Sequence, residues 1–487
     1  MNNPPTTSWN DVRAAFKKIW GYDDFRPPQG EIVRSLLEKK DALIVLPTGG
    51  GKSICFQLPA LLQTGLTLVI SPLVALMENQ VQELHQRHLP AALLHSELPT
   101  YQRKQTLQAL ERQQLRLLYL SPETLLSPPV WERLCQPSLQ INGLILDEAH
   151  CLVQWGDTFR PAYRRLGAVR PTLLQHKPAG TKIAIAAFTA TADPTAQQTI
   201  RNVLQLQRPE TFLISPYRPN LNLKVRTIWT PRGRRQQMLT FIQEHPQQTG
   251  LVYVRSRRES EELAEWFAQL GYVTAAYHAG LGAEERREIE GSWLSGKSQF
   301  VVCTCAFGMG INKPDVRWVV HYQSPQLLSE YIQEVGRGGR DGKPSNALTL
   351  ISEPTGWLNA EDKQRRQFFV EKLRSQYRDA QHLIQKLPAR GDVATVTKQY
   401  RGGAVALALL HSAGQLEWQD PFCYRKQSTG NSRSVAQLSA AQEKVQQQMT
   451  QYLNTRDCRW QFLLKAFGFT KEATGLRCGH CDNCLKR

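Results

Sequence analysis

The chemistry of this chain starts at Leu43-Ile44-Val45-Leu46-Pro47-Thr48-Gly49-Gly50-Gly51-Lys52-Ser53. An apolar run, then glycines, then Lys-Ser and a helix-compatible stretch predict a strand, a phosphate loop and a helix. Backbone N–H groups of Thr48, Gly49, Gly50 and Gly51 can turn inward on a phosphate. The helix N-terminus adds its dipole, Lys52 adds a point charge, and the Ser53 hydroxyl can hold Mg²⁺. Leu46 stands where the general pattern has a further glycine. A second apolar strand, Gly143-Leu144-Ile145-Leu146, ends in Asp147-Glu148-Ala149-His150. Nucleotide hydrolysis needs a carboxylate for the metal and a group that positions the attacking water. Asp147 fits the first role and Glu148 the second, provided the chain turns at the strand end so that both side chains reach one site.

A third cluster lies near the other end of the sequence. Cys458, Cys478, Cys481 and Cys484 have the spacing C-x19-C-x2-C-x2-C. Four thiolates suit tetrahedral Zn²⁺ with no open position for water, hence a structural metal. An iron–sulfur cluster is the competing occupant. His480, between ligands, is not expected to bind the metal. The other six cysteines are scattered, mostly in apolar runs, and read as small core residues.

The elements that must position these groups fall into two α/β blocks. Expected strands in the first are Leu43–Leu46, Leu66–Ile70, Leu115–Tyr119, Leu144–Leu146 and Lys182–Ala187. In the second they are Leu251–Val254, Val273–Tyr277, Phe300–Thr304, Trp318–His321 and Ala347–Ile351. Helical stretches separate them, which predicts parallel sheets. Only the first block carries a phosphate loop. Beyond Ser352 the pattern becomes charged helix, Glu361 to Lys386. A compact segment follows: a helix from about Asp392, a turn at Gly402-Gly403, the apolar helix Ala404–Leu410, and a hairpin of Gln415–Trp418 and Phe422–Lys426. That is a small winged-helix outline. The expected domains are 1–206 and 207–352 for the two lobes, 353–388 with 439–487 for a helical zinc-binding module, and 389–438 for an inserted winged-helix-like segment and linker.

The 487 residues suffice for about three domains. No run of about 18 apolar residues is present, so no membrane partner is expected, and the start lacks a signal peptide's apolar segment. A reducing cytoplasm is the expected location, with nucleoid association if the source is bacterial. The formal net charge of +18 favours a polyanion. Residues 361–487 hold 21 Lys and Arg against 11 Asp and Glu, which makes this part the candidate nucleic-acid surface.

With these motifs in order, the chain resembles the RecQ DNA helicases of superfamily two. The resemblance runs over about residues 10–352 and again over 440–484. It implies two RecA-like lobes, ATP and Mg²⁺ as the hydrolysed pair, Zn²⁺ in the cysteine module, and DNA as partner. Phe25-Arg26-Pro27-Pro28-Gln29 looks like the family's adenine-side motif, which implies Tyr22 stacking on adenine, Gln29 hydrogen-bonding it and Arg26 nearby. Thr189-Ala190-Thr191-Ala192 is similar to the motif that couples hydrolysis to movement. Gln154-Trp155-Gly156-Asp157-Thr158-Phe159-Arg160-Pro161 looks like the aromatic-rich loop that senses single strands. Trp155 and Phe159 can stack on bases without reading sequence, and Arg160 can meet a phosphate. Asp157-Thr158 stand where the family usually has His-Asp. Ala306 to Pro314 resembles the fifth motif, with Asn312 where aspartate is usual. Gln333-Glu334-Val335-Gly336-Arg337-Gly338-Gly339-Arg340 resembles the sixth, which implies Gln333, Arg337 and Arg340 as catalytic groups facing the γ-phosphate, Arg340 foremost.

The familiar order places a winged helix after the zinc module. Here the winged-helix-like segment precedes the cysteines, and the sequence ends three residues after Cys484. The reading that follows is an ATP-dependent helicase that translocates on single-stranded DNA and opens forked or tailed duplex. The direction, 3′ to 5′, and a place in recombination, repair or fork maintenance are implied by the resemblance alone. In the insertion, Arg425 and Lys426 are the expected phosphate contacts, with duplex holding ahead of strand separation. An RNA-directed helicase, and a binding or annealing protein with a weak ATPase, remain open as alternatives. Protein partners are unknown.

Overall fold

The computed structural model describes residues 8–154, 160–308, 311–353, 357, 360–427 and 435–486. They form two compact units, one from the described residues of 1–46, 50–214 and 376–438, the other from those of 47–49, 215–375 and 439–487. In the first, seven strands make one parallel sheet: β1 (Ala42–Val45), β2 (Leu66–Ile70), β3 (Ala91–Leu94), β4 (Leu117–Leu120), β5 (Ile141–Leu146), β6 (Ala184–Thr189) and β7 (Glu210–Leu213). Their order is β3-β4-β2-β5-β6-β1-β7. Helices cover both faces, so successive residues enter two cores by strand alternation. Leu43, Leu118, Leu144 and Ile185 pack on one side. Ile44, Leu117, Ile145 and Ala186 pack on the other.

Two of these strands lie outside the expected set. β7 extends the first sheet past residue 206, pairing Ile44 with Phe212. Its residues alternate between half-buried and exposed, as an edge strand's do, so no apolar run announces it. β3 is only four residues long and half-buried in the middle.

The second unit holds six parallel strands, β8 (Leu221–Ile228), β9 (Gly250–Tyr253), β10 (Thr274–Tyr277), β11 (Phe300–Cys303), β12 (Trp318–His321) and β13 (Ser345–Ser352). They run in the order β10-β11-β9-β12-β13-β8. The cysteine-bearing helices pack on this sheet. Met449, Tyr452, Trp460, Leu463 and Phe467 share a core with Leu221, Leu223 and Val225 of β8.

The segment 389–427 holds the helices Val393–Gln399 and Gly403–Ser412 and a three-stranded antiparallel sheet. Its strands are β14 (Arg390–Asp392), β15 (Leu416–Trp418) and β16 (Cys423–Lys426), in the order β14-β16-β15. Asp392 caps the first helix by accepting from Thr395 N. The helices approach so closely that a Cβ on Gly403 would lie 2.7 Å from Val396 O. β14, too short to show a period, adds a strand to the expected hairpin. By compactness this segment groups with the first unit, although residues before and after it in sequence belong to the second.

Candidate nucleotide and zinc sites

The phosphate loop links β1 to the helix Lys52–Leu62. Gly51 caps that helix at φ +72°, where a Cβ would lie 2.3 Å from Gln29 Nε2. Glycine is required twice over, by backbone conformation and by close approach. The Gln29 amide is satisfied at both ends. Nε2 donates to Gly50 O at 3.1 Å, and Oε1 accepts from Arg26 N at 3.0 Å. Gln29 is buried, and Tyr22 is 52% exposed beside Phe16. Gln29, Arg26 and the loop are thus one hydrogen-bonded group, with the Tyr22 ring at its exposed margin.

Asp147 and Glu148 meet this loop at the end of β5. Asp147 N donates to Ile70 O and Ala149 N to Phe188 O, so the backbone stays attached to β2 and β6 while it turns. The turn is made at Glu148, whose φ is +52°. A non-glycine residue there carries a cost of about 1 kcal/mol or more, of the kind found at functional sites. It is how two adjacent acids leave the strand on the same side. Asp147 is 4% exposed; its carboxylate accepts from Glu148 N at 3.0 Å and from Gln80 Nε2 at 3.4 Å. Burial, reinforced by the Glu148 charge, pushes the Asp147 pKa up to about 6. Such a carboxyl is short of positive charge, as expected of a cation ligand. Lys52 Nζ lies 4.0 Å from Glu148 Oε1.

His150, absent from the expected site residues, belongs to this group. Its Nδ1 is 3.2 Å from Glu148 Oε2 and 3.2 Å from Thr189 Oγ1. Burial works to lower the His150 pKa; the Cys151 sulfur and the Glu148 carboxylate overcome it and raise it to about 10. Thr189 Oγ1 in turn donates to Thr191 O and accepts from Thr191 N. The Nδ1 edge of His150 therefore faces both the Glu148 carboxylate, as an ion-pair contact, and the hydrogen-bonded Thr189-Ala190-Thr191 segment. The fourth letter of the acidic box was the available signal, but its partner is set by tertiary packing.

In the second unit, Gln333 and Arg337 are buried and Arg340 is partly so. Arg337 Nη1 donates to Gly308 O. Arg340 Nη1 donates to Ile311 O at 3.0 Å and to Asn312 Oδ1 at 3.1 Å. Asn312, the departure noted in the fifth motif, is thus a neutral acceptor for Arg340. Burial, then the Arg337 charge, lower the Arg340 pKa to about 10. The loop itself is braced by Arg218, which donates to Gly336, Gly338 and Gly339 carbonyls. Thr48 Oγ1 donates to Gly336 O at 2.9 Å. Beneath, Arg255 makes a bidentate pair with Glu334, 2.9 and 2.6 Å, and His321 Nε2 approaches the same carboxylate at 2.9 Å.

The four cysteine sulfurs lie within 4.8 Å of one another. Zn–S bonds of about 2.3 Å in a tetrahedron put sulfurs about 3.8 Å apart, and Cys478 Sγ to Cys484 Sγ is 3.9 Å. Backbone N–H groups of Cys478 and Cys481 donate to Cys458 Sγ and Cys478 Sγ, which favours thiolates. The donor set fits zinc. Asp482, between two of the cysteines, accepts from Arg459 and from Val225 N at 2.9 Å on the edge of β8. Trp460 Nε1 donates to Leu221 O at 3.1 Å. The cysteine cluster and the second sheet are one packed body.

Of the expected DNA contacts, Trp155 and Phe159 lie outside the described residues. Arg160 Nη1 donates to Glu123 Oε2 at 2.8 Å. Arg425 is exposed and 3.4 Å from Glu417; Lys426 is half-buried. Sequence reasoning missed Arg390, which stands directly opposite Arg425 across β14 and β16. Like charges facing one another on a sheet are unfavourable without an anion nearby; here Glu417, opposite Arg425 on β15, supplies one.

Comparison with known proteins gives these features a family. The DEAD/DEAH box helicase domain matches residues 26–199, the helicase conserved C-terminal domain 233–342, and the RecQ zinc-binding domain 422–485. The chain is 53% identical over 474 residues to the ATP-dependent DNA helicase RecQ of Synechocystis sp., covering 97% of this chain and 98% of that one. It is 39% identical to the probable ATP-dependent DNA helicase RecS of Bacillus subtilis, over 68% of this chain and 65% of that one. Among solved structures, S. cerevisiae Dbp5 bound to RNA and ADP BeF3 superposes with a TM-score of 0.57 at 16% identity, over 72% of this chain and 91% of that one. Helicase Lhr of Mycobacterium smegmatis, bound to ssDNA and AMP-PNP, gives 0.57 at 19% identity, over 91% and 61%. These two likenesses concern the fold alone. The chain belongs to the RecQ family: it is an ATP-dependent DNA helicase with two RecA-like lobes and a zinc-binding module of four cysteines.

Proposed function

We propose that this helicase hydrolyses ATP at the Lys52–Asp147–Glu148 group, moves 3′ to 5′ on single-stranded DNA and separates forked or tailed duplex, in recombination, repair or fork maintenance. Lys52 and the N–H groups of residues 48–51 hold the phosphates. Tyr22, Arg26 and Gln29 hold the base. Ser53 and Asp147 would hold Mg²⁺, which supplies charge neutralisation on the phosphate oxygens. Glu148 orients and deprotonates the attacking water. Gln333, Arg337 and Arg340 stabilise the charge that develops on the γ-phosphate. Trp155, Phe159 and Arg160 contact the single strand, and Arg425 and Lys426, with Arg390, contact duplex phosphates.

The observation that carries this reading is the approach of Lys52 to Glu148, 4.0 Å, beside a buried Asp147. The contacts of His150 to Glu148 and Thr189 support coupling, because they tie the water-positioning residue to a segment whose displacement would be felt at the acid. The test is Lys52→Ala in the full chain. Loss of both basal and DNA-stimulated ATP turnover is expected, with zinc content unchanged. Turnover near the unaltered level in the folded variant would overturn the site.

A further inference from the structure

A hairpin at the end of a winged-helix-like module is the part best placed to work as a wedge at a duplex fork. Here its tip is covered. Pro421 is buried, and its carbonyl accepts from Arg165 Nη1 at 3.2 Å. The Phe422 ring meets Trp131 edge-on, centroids 5.3 Å apart, and packs against the core of the first lobe. Asp420 Oδ1 accepts from Phe422 N at 2.7 Å and Cys423 N at 2.8 Å, which fixes the turn. The other hairpin aromatics are inside as well, Trp418 8% and Tyr424 0% exposed. Behind the tip, the helix Gly403–Ser412 packs on the segment Pro161–Ala168 of the first lobe. Burial there, and then the Arg164 charge, lower the His411 pKa to about 3, so its ring is neutral at this interface. Arg390, Lys398, Arg401 and Arg425 are exposed on the module, with one exposed acid, Glu417, beside Arg425.

We propose that the hairpin tip is an anchor and not a wedge. Through Arg165, Trp131, Pro421 and Phe422 it fixes the insertion to the nucleotide-binding lobe, so that duplex gripped by the Arg390–Arg425 strand pair is held on that lobe. The second half of this statement rests on the duplex-holding reading above; the first rests on the packing alone.

The test uses the full chain with Trp131→Ala, Phe422→Ala, the double variant, and Arg165→Met, which removes one hydrogen bond and spares the core. Forked-duplex unwinding and single-strand-stimulated ATPase are measured for each. An anchor predicts that both alanine variants unwind about fivefold more slowly, as loss of one aromatic edge contact allows. The double variant should be no slower than either single one, Arg165→Met should fall in the same direction, and ATPase should stay within about twofold. A wedge predicts that Phe422→Ala alone loses unwinding while Trp131→Ala and Arg165→Met behave as the unaltered protein; that result overturns the proposal, as does normal unwinding by all four. Arg390→Ala with Arg425→Ala separates the two readings. If forked-duplex affinity is unchanged there while the Trp131–Phe422 coupling persists, the duplex grip is refuted and the anchor stands.

Discussion

Replacing Glu148 by Gln removes one negative charge from the nucleotide group and keeps the shape that the left-handed turn at φ +52° supports. Two folding effects oppose each other. The charge-assisted contact to His150 at 3.2 Å weakens, a loss of about 1.5–3 kcal/mol. Relief comes from Asp147, whose pKa is held up by burial and secondarily by the Glu148 charge. The net change in stability should stay within about 2 kcal/mol, small beside what a domain of this size can lose. The chemical step has no such offset, because an amide cannot take the water's proton. A loss of two decades or more in kcat corresponds to about 2.7 kcal/mol on the barrier. The assay is single-turnover hydrolysis with saturating single-stranded DNA, beside equilibrium binding of a non-hydrolysed ATP analogue. Binding should be retained and turnover lost. Hydrolysis within tenfold of the unaltered enzyme in a folded variant would refute the assignment of Glu148 to the water.

Four other outcomes are expected. Glu334→Gln should destabilise the second lobe by about 3 kcal/mol, since it removes the buried carboxylate that pairs with the largely covered Arg255 guanidinium; an unchanged melting temperature would contradict this. Burial works to raise the Glu334 pKa, but Arg255 and His321 hold it down to about 2, while burial lowers the His321 pKa. Both groups are depressed, so stability present above their unfolded values is lost on acidification, first below about 6.5 through His321 and then below about 4.5 through Glu334. Denaturation midpoints across pH 3–8 check the sign. Cys481→Ser should lose zinc and loosen the Asp482 contact to β8, read as metal content and as hydrogen exchange at Val225; iron with visible absorption in the unaltered protein would refute zinc. Trp155→Ala with Phe159→Ala should weaken single-strand contact by about 2–6 kcal/mol at most and lower DNA stimulation, with the DNA-free rate little changed.

The motor was legible in the sequence because its motifs are local. Gly49 to Ser53, Asp147-Glu148 and the four cysteines each sit on a few consecutive residues with fixed chemistry, and the buried strands read as apolar runs. What escaped depends on contacts between distant segments. His150 meets Thr189, Arg390 stands opposite Arg425, and the hairpin tip packs through Trp131 meeting Phe422. Edge strands escaped for another reason. β7 is half exposed, and β8 alternates Leu221, Leu223 and Val225 with polar residues, so neither looks like the continuous apolar strands around them. The alternatives of an RNA-directed helicase and of an annealing protein give way to the family relationship, in which a relative matched along 97% of this chain is an ATP-dependent DNA helicase.

The most direct test of the central claim is strand displacement on matched forked, 3′-tailed and 5′-tailed DNA, with RNA tails in parallel and with ATP omitted. ATP-dependent opening of forked and 3′-tailed DNA is expected, with none from a 5′ tail alone and none by Lys52→Ala. Equal opening without ATP, or opening confined to RNA-tailed substrates, would contradict it.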